Sequence, residues 1–327
     1  MADLWLQFVL TIDATIRVAT PLMLCAMAGL FSERSGIIDI SLEGKMLLAA
    51  FAAASVAALT GSPWLALAGG ILISLLFSLV HGFACITHKG NQVISGLAIN
   101  ILASGLTVTI GIAIFAQGGQ TPFLSSGQRF SSITLPFAEA AGSIPIIGII
   151  YKEILSGHNL LVWLAFVAVG LTSLIVFRTS FGLRLRAVGE KPEAVDSAGI
   201  SVVAMRYQAV MIAGILCGIA GAYLSVAHGA GFVREMTAGK GYIALAAMIF
   251  GNWRPLPAMM ACLMFGFLDA LAARLQGVSL PMIGEVPTDL ILVLPYVLTV
   301  VLLAGFIGKS TPPLAIGTPY ILSLIHI

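Results

Sequence analysis

Nine segments of this chain are apolar, most of them continuous runs of about twenty residues, and no other feature restricts the fold as much. A helix of about twenty residues rises about 30 Å, the thickness of a bilayer's hydrocarbon core. Membrane barrels are excluded, because their strands alternate apolar and polar residues and these runs do not. The expected fold is therefore all-α and polytopic, with about nine hydrophobic segments, some of them broken or re-entrant. Hydrophobic residues at 59% and a mean hydropathy of +1.05 leave no room for a soluble reading.

The first span runs from Phe8 to Phe31, with Asp13 and Arg17 spaced to pair on one helical face. It is expected to serve as its own insertion signal, since no basic region of a cleavable leader precedes it. Ser32–Lys45, SERSGIIDISLEGK, then interrupts the hydrocarbon pattern before an Ala-rich span at Met46–Leu59. Backbone freed by such a break must be satisfied by protein or by a watery path, so Asp39, Glu43, Gly44 and Lys45 are gate or hinge candidates. Spans follow at Pro63–Thr87, Asn91–Ala116, Leu160–Phe177 and Tyr207–Ala230. Gly214, Gly218 and Ala222 form a small-residue stripe that lets another helix approach closely.

YIALAAMIF, after Gly239-Lys240-Gly241, is too short to cross and ends at the hard break Gly251–Pro255. Pro257–Leu275 and Thr288–Ile307 complete the set; a Pro-rich tail, TPPLAIGTPY, is expected to be extended. Leu322–Ile327, LSLIHI, matches read-through of an adapter used in DNA library preparation and is expected to be foreign to the native protein. No clear inverted repeat is visible.

Only 9% of residues are charged, and the long charged loop is Arg178–Arg206. Its basic residues place it in the cytoplasm, and Gln117–Asn159, with only Arg129 and Lys152 as basic residues, is placed outside. Within the loop, Pro192 starts a short helix, Glu193 and Asp196 suit its positive end, and Gly199 stops it. Ala194, Val195 and Ala198 are expected to share a small apolar face. So short a helix needs a partner surface. The net charge of +2 comes from loops, and nucleic acid is not expected as a partner.

Asn100, Ser104 and Thr107 fall on one face of the fourth span and are candidates for a translocation path that hydrogen-bonds a neutral substrate. Catalytic and metal sites are not expected: there is no HExxH, and His81 and His228 are solitary in their spans. The four cysteines lie in apolar runs without CxxC spacing and read as packing residues. No GxxxxGK[ST] loop is present, so ATP must be handled by another protein and no cofactor is expected in this chain.

Three motifs carry a resemblance: Gly189–Val202, GEKPEAVDSAGISV; Ser35–Ala50, SGIIDISLEGKMLLAA; and Gly239–Pro255, GKGYIALAAMIFGNWRP. Together, from Arg17 to about Pro319, the chain resembles inner-membrane permeases of ATP-binding-cassette importers of the ribose and branched-chain amino acid type. It is most similar to the second permease of purine-nucleoside importers that use a basic membrane lipoprotein; simple-sugar permeases share much of the pattern. The resemblance implies a multi-pass subunit of a bacterial plasma membrane supplying half of a translocation pathway, itself catalysing nothing. Its partners would be an ATP-binding subunit, a second related permease, an extracytoplasmic substrate-binding lipoprotein and a small-molecule substrate. ATPase coupling would fall to Gly189, Pro192, Glu193, Ala194, Asp196 and Gly199. An ion-coupled secondary transporter, with Asp13, Asp39, Glu43 or Asp269 as the working carboxylate, is the rival reading.

Overall fold

The computed structural model describes residues 2–136, 147–275, 279–280, 284–285, 293, 297 and 310–321. Leu322–Ile327 and, apart from Val293 and Val297, the expected span Thr288–Ile307 lie outside the described residues. The helices are α1 (Ala2–Arg34), α2 (Leu42–Thr60), α3 (Pro63–Gly82), α4 (Gln92–Phe115), α5 (Ile147–Ile150) and α6 (Leu160–Arg178). They continue with α7 (Ser180–Glu190), α8 (Pro192–Ser197), α9 (Val202–Ala222), α10 (Lys240–Phe250) and α11 (Pro255–Leu275). Single π-helical stretches extend α3 to Thr87 and α9 to His228, and Ser279–Leu280 pairs antiparallel with Gly284–Glu285. Among the described residues, seven helices are long and apolar enough to cross a membrane. The 11-residue α10 rises only about 16 Å, half a bilayer core.

Helix starts follow local chemistry. Asn91 Oδ1 accepts from the N–H groups of Val93 and Ile94 at 3.0 and 3.1 Å; Asn159, Thr179 and Ser201 cap α6, α7 and α9 in the same way. These side chains meet N–H groups that lack partners in the first turn, fixing where each span begins.

With the basic α6–α9 connection in the cytoplasm, contacts order the other elements by depth. Gly189 abuts the Arg34 carbonyl, so α1 ends at the cytoplasmic side. The Tyr223 hydroxyl donates to the Arg17 carbonyl at 2.9 Å, so α9 runs antiparallel to α1 and reaches its outer half. The break after α1 climbs to Leu42, whose carbonyl meets Cys217 Sγ midway along α9 at 3.2 Å. Hence α2 starts mid-membrane and runs outward. The segment after α9 descends from the outer side, and α10 starts where its first N–H groups reach Glu43. It ends where Trp253 Nε1 donates to Glu33 Oε2 at 2.7 Å and Arg34 donates to the Trp253 carbonyl.

Each half thus has a long helix, a break and a second helix that starts inside the membrane, traced in opposite directions: α1–α2 inward then outward, α9–α10 outward then inward. The third helices exchange partners, α1 packing on α11 and α9 on α3. The path is an inverted repeat that the sequence itself does not display. What repeats is the chain path, while the residues at corresponding positions, such as Leu42 and Lys240 at the starts of α2 and α10, do not.

The central core lies between these helices, with Leu22, Met23, Met27 and Phe31 of α1 against Ala213 and Cys217 of α9 and Met248 and Phe265 beyond. All four cysteines are buried and free; Cys25 Sγ lies 3.9 Å from Cys217 Sγ. The small-residue stripe of α9 receives α3 as expected: a Cβ on Gly218 would sit 2.6 Å from Ile71 Cα and 3.0 Å from the Gly70 carbonyl. Neither neighbour is a flexible side chain, so Gly218→Val must push α3 away. The expected loss is about 1–3 kcal/mol or more, read as a lower unfolding temperature in detergent.

Candidate functional site

On the cytoplasmic side, α7 and α8 form a knob whose short helix could not stand alone. Pro192 is buried, and Val195 is 6% exposed, pinning α8 to the protein. Glu193, Ala194, Ser197, Ala198 and Gly199 point outward, with Gly199 at φ +78° ending the helix. The expected shared face of Ala194, Val195 and Ala198 is corrected: Val195 points to the core, because the helix is anchored on its own chain. Asp196 is half-buried and lines a cleft with Lys89, Ser201 and Tyr320. Gly189 is buried too, since a Cβ there would press into the Arg34 carbonyl. It positions the knob from below.

The Pro-rich tail, expected to be extended, is instead a strap bound across this face. Ala315 N–H donates to the Gly189 carbonyl at 2.8 Å and Gly317 N–H to the Gly36 carbonyl at 3.0 Å. Leu314 N–H reaches Glu190 Oε2 at 3.3 Å and Thr311 N–H reaches Asn252 Oδ1 at 3.0 Å. Arg206, 1% exposed, completes the tie, donating through Nε to the Ser35 carbonyl and through Nη1 to that of Thr318, each at 3.2 Å. The knob, the α1–α2 break and the α10–α11 corner are therefore joined by one segment.

The gate or hinge candidates lie inside the membrane half of the break. Lys45 Nζ donates to Asp39 Oδ1 and Oδ2 at 2.9 and 2.7 Å, with both side chains fully buried. Ser41 Oγ adds a bond to Asp39 Oδ1 at 2.5 Å. Glu43 accepts from the N–H groups of Gly239 and Gly241 at 2.8 and 2.6 Å, placing a carboxylate at the positive end of α10. Gly44 N–H donates to Asn100 Oδ1 at 2.8 Å. This joint locks the starts of α2 and α10 to one another and to α4.

The path candidates separate. Asn100 Nδ2 donates to the Ile40 carbonyl at 3.0 Å and to Tyr242 Oη at 2.8 Å. Ser104 Oγ donates to Glu235 Oε1. Thr107 is only 1% exposed and bonds the carbonyls of Ala103 and Ser104 in its own helix, so it is not part of this polar group. In its place stand Glu235, exposed, and Tyr242, 42% exposed. Polar groups facing hydrocarbon are costly, so this face is one that water or another protein covers. Sequence reasoning missed both residues; a lone carboxylate beside a helix break was the available signal.

Residues 11–303 match the family described as branched-chain amino acid transport system / permease component. The guanosine ABC transporter permease protein NupQ of Bacillus subtilis is 39% identical over 95% of this chain and 96% of its own length. The nucleoside ABC transporter permease protein NupC of Lactococcus lactis is 38% identical over 93% of this chain and 94% of its own. A putative glucose ABC transporter permease protein of Haloferax volcanii, TsgC13, is 36% identical over 84% and 80%. The match spans the three motifs that carried the resemblance, and this multi-pass membrane protein belongs to the branched-chain amino acid transport system permease component family.

Proposed function

We propose that this chain is one of two permease subunits of an ATP-driven nucleoside importer in a bacterial plasma membrane. A second, related permease would cover the exposed face of α4 and α10, an ATP-binding subunit would seat the knob, and an extracytoplasmic lipoprotein would deliver substrate. ATP would be hydrolysed by the partner, with no cofactor held in this chain.

The observation that carries the substrate class is the group Asn100, Ser104, Glu235 and Tyr242 on one exposed face. A nucleoside is neutral, with a ring to lie on an aromatic side chain and hydroxyl and N–H donors for a carboxylate and an amide. The names of NupQ and NupC point the same way. TsgC13 supports the sugar reading, for which the aromatic contact matters less. The joint of Asp39, Glu43 and Lys45 would keep the starts of α2 and α10 rigid while the subunits move.

Uptake by cells carrying the whole transporter tests this. Labelled guanosine is expected to enter when proton and sodium gradients are collapsed and to stop when ATP is depleted; gradient-dependent entry defeats the reading. Glu235→Gln, which keeps the shape but removes the charge, is expected to raise the half-saturating nucleoside concentration about tenfold, with unchanged membrane levels. Transport of glucose or ribose in preference to guanosine would replace nucleosides by sugars.

A further inference from the structure

A second polar region lies on the outer side, away from the α4–α10 face and the knob. It is a cavity of about 360 Å³ between α1, the start of α6, the outer end of α9 and the loop at residues 126–132. Arg17, Arg129, His158, Ser131 and Ser132 are among its walls. Arg17 is held by Asp13, with Nε–Oδ1 and Nη2–Oδ2 distances of 3.1 Å. Arg129 forms no ion pair among the described residues, and its buried Nε has no hydrogen-bond partner. Two guanidinium groups against one carboxylate leave the cavity positive.

His158 supplies the second requirement. It is 3% exposed, and its Nε2 donates to the Ile154 carbonyl at 2.9 Å, which assigns the ring proton. Its Nδ1 has no partner. Burial lowers the pKa of this imidazole, against the pull of Asp13, so at neutral pH Nδ1 is a bare acceptor. An unmet guanidinium calls for an oxyanion, an unmet imidazole nitrogen for a hydroxyl. The volume exceeds what a lone inorganic ion fills, and a neutral nucleoside would leave Arg129 unmatched.

We infer that this cavity binds a phosphoglycerol group, a phosphate joined to a polyol with a free hydroxyl, supplied either by an anionic lipid head group or by a free phosphate ester. Arg129 and Arg17 hold the phosphate, the serine hydroxyls donate to its oxygens, and His158 Nδ1 accepts from the polyol. The site is independent of the transported substrate.

The test uses the transporter purified with its partner subunits in mild detergent, with binding measured directly and by thermal shift. Short-chain phosphatidylglycerol, short-chain phosphatidylcholine and glycerol 3-phosphate are the probes. Saturable binding of phosphatidylglycerol without phosphatidylcholine is expected; equal binding of glycerol 3-phosphate identifies a free ester as the source, and its failure identifies the lipid. Arg129→Gln is expected to weaken binding about tenfold, with partial recovery in Arg129→Lys. Binding of phosphatidylcholine as tightly as phosphatidylglycerol, no binding by either phosphoglycerol probe, or unchanged affinity in R129Q overturns the inference. The comparison of lipids in the unaltered protein decides the matter even where a variant does not fold.

Discussion

Lys45→Met is expected to destabilise this permease by about 3–5 kcal/mol, enough to deplete the folded protein. Asp39 and Lys45 are both fully buried, and Lys45 gives the carboxylate two hydrogen bonds at 2.9 and 2.7 Å. Removing the ammonium leaves the Asp39 charge with the single hydroxyl of Ser41 in an environment that cannot solvate it. The double change Asp39→Asn, Lys45→Met removes both charges and keeps an acceptor for Ser41, so it is expected to recover most of the loss. Thermal unfolding and the monodisperse fraction in detergent measure both variants. A single variant as stable as the unaltered protein, or a double variant no better than the single, contradicts the ion pair's role in holding the break.

Much of the fold was legible because its signals are local. Apolar length marks a span, and Asn91 and Asn159 mark helix starts within three residues of the N–H groups they cap. By contrast α9, capped by Ser201, starts at Val202, before the expected Tyr207, because Arg206 interrupts the apolar run near its start. The Asp13–Arg17 pair and the α9 stripe needed only helical spacing. The short helix α8 was legible for the same reason, Pro192 and Gly199 bounding it in sequence. What stayed hidden depends on partners far away along the chain. Glu43 was marked as a hinge candidate, but the N–H groups it binds, those of Gly239 and Gly241, follow almost two hundred positions later. A Pro-rich tail gives no sign of the carbonyls of Gly189 and Gly36 that bind it. Helical spacing grouped Thr107 with Ser104 but could not show that α4 turns Thr107 inward. Glu235 was not singled out as a path residue, because its place on the exposed face follows from the segment that descends after α9.

Ala194→Arg is expected to abolish transport while leaving the permease folded. Ala194 faces outward from α8, whose attachment rests on Pro192 and Val195 on the opposite side. The new side chain therefore strains nothing within the chain. An ATP-binding subunit that receives this face in a groove must instead accommodate a long charged group. A clash at the centre of so small a contact is expected to remove roughly 2–4 kcal/mol of binding, which is about 30-fold to 1000-fold in affinity. Co-purification reads the result: the second permease should remain and the ATP-binding subunit should be lost, with nucleoside uptake falling in parallel. Because the strap and Arg206 fasten the knob to the α1–α2 break, the loss of uptake follows from the lost seating and not from a displaced knob. Retention of the ATP-binding subunit with full uptake would mean that coupling runs through another cytoplasmic surface, and the outward face of α8 would lose its assigned role.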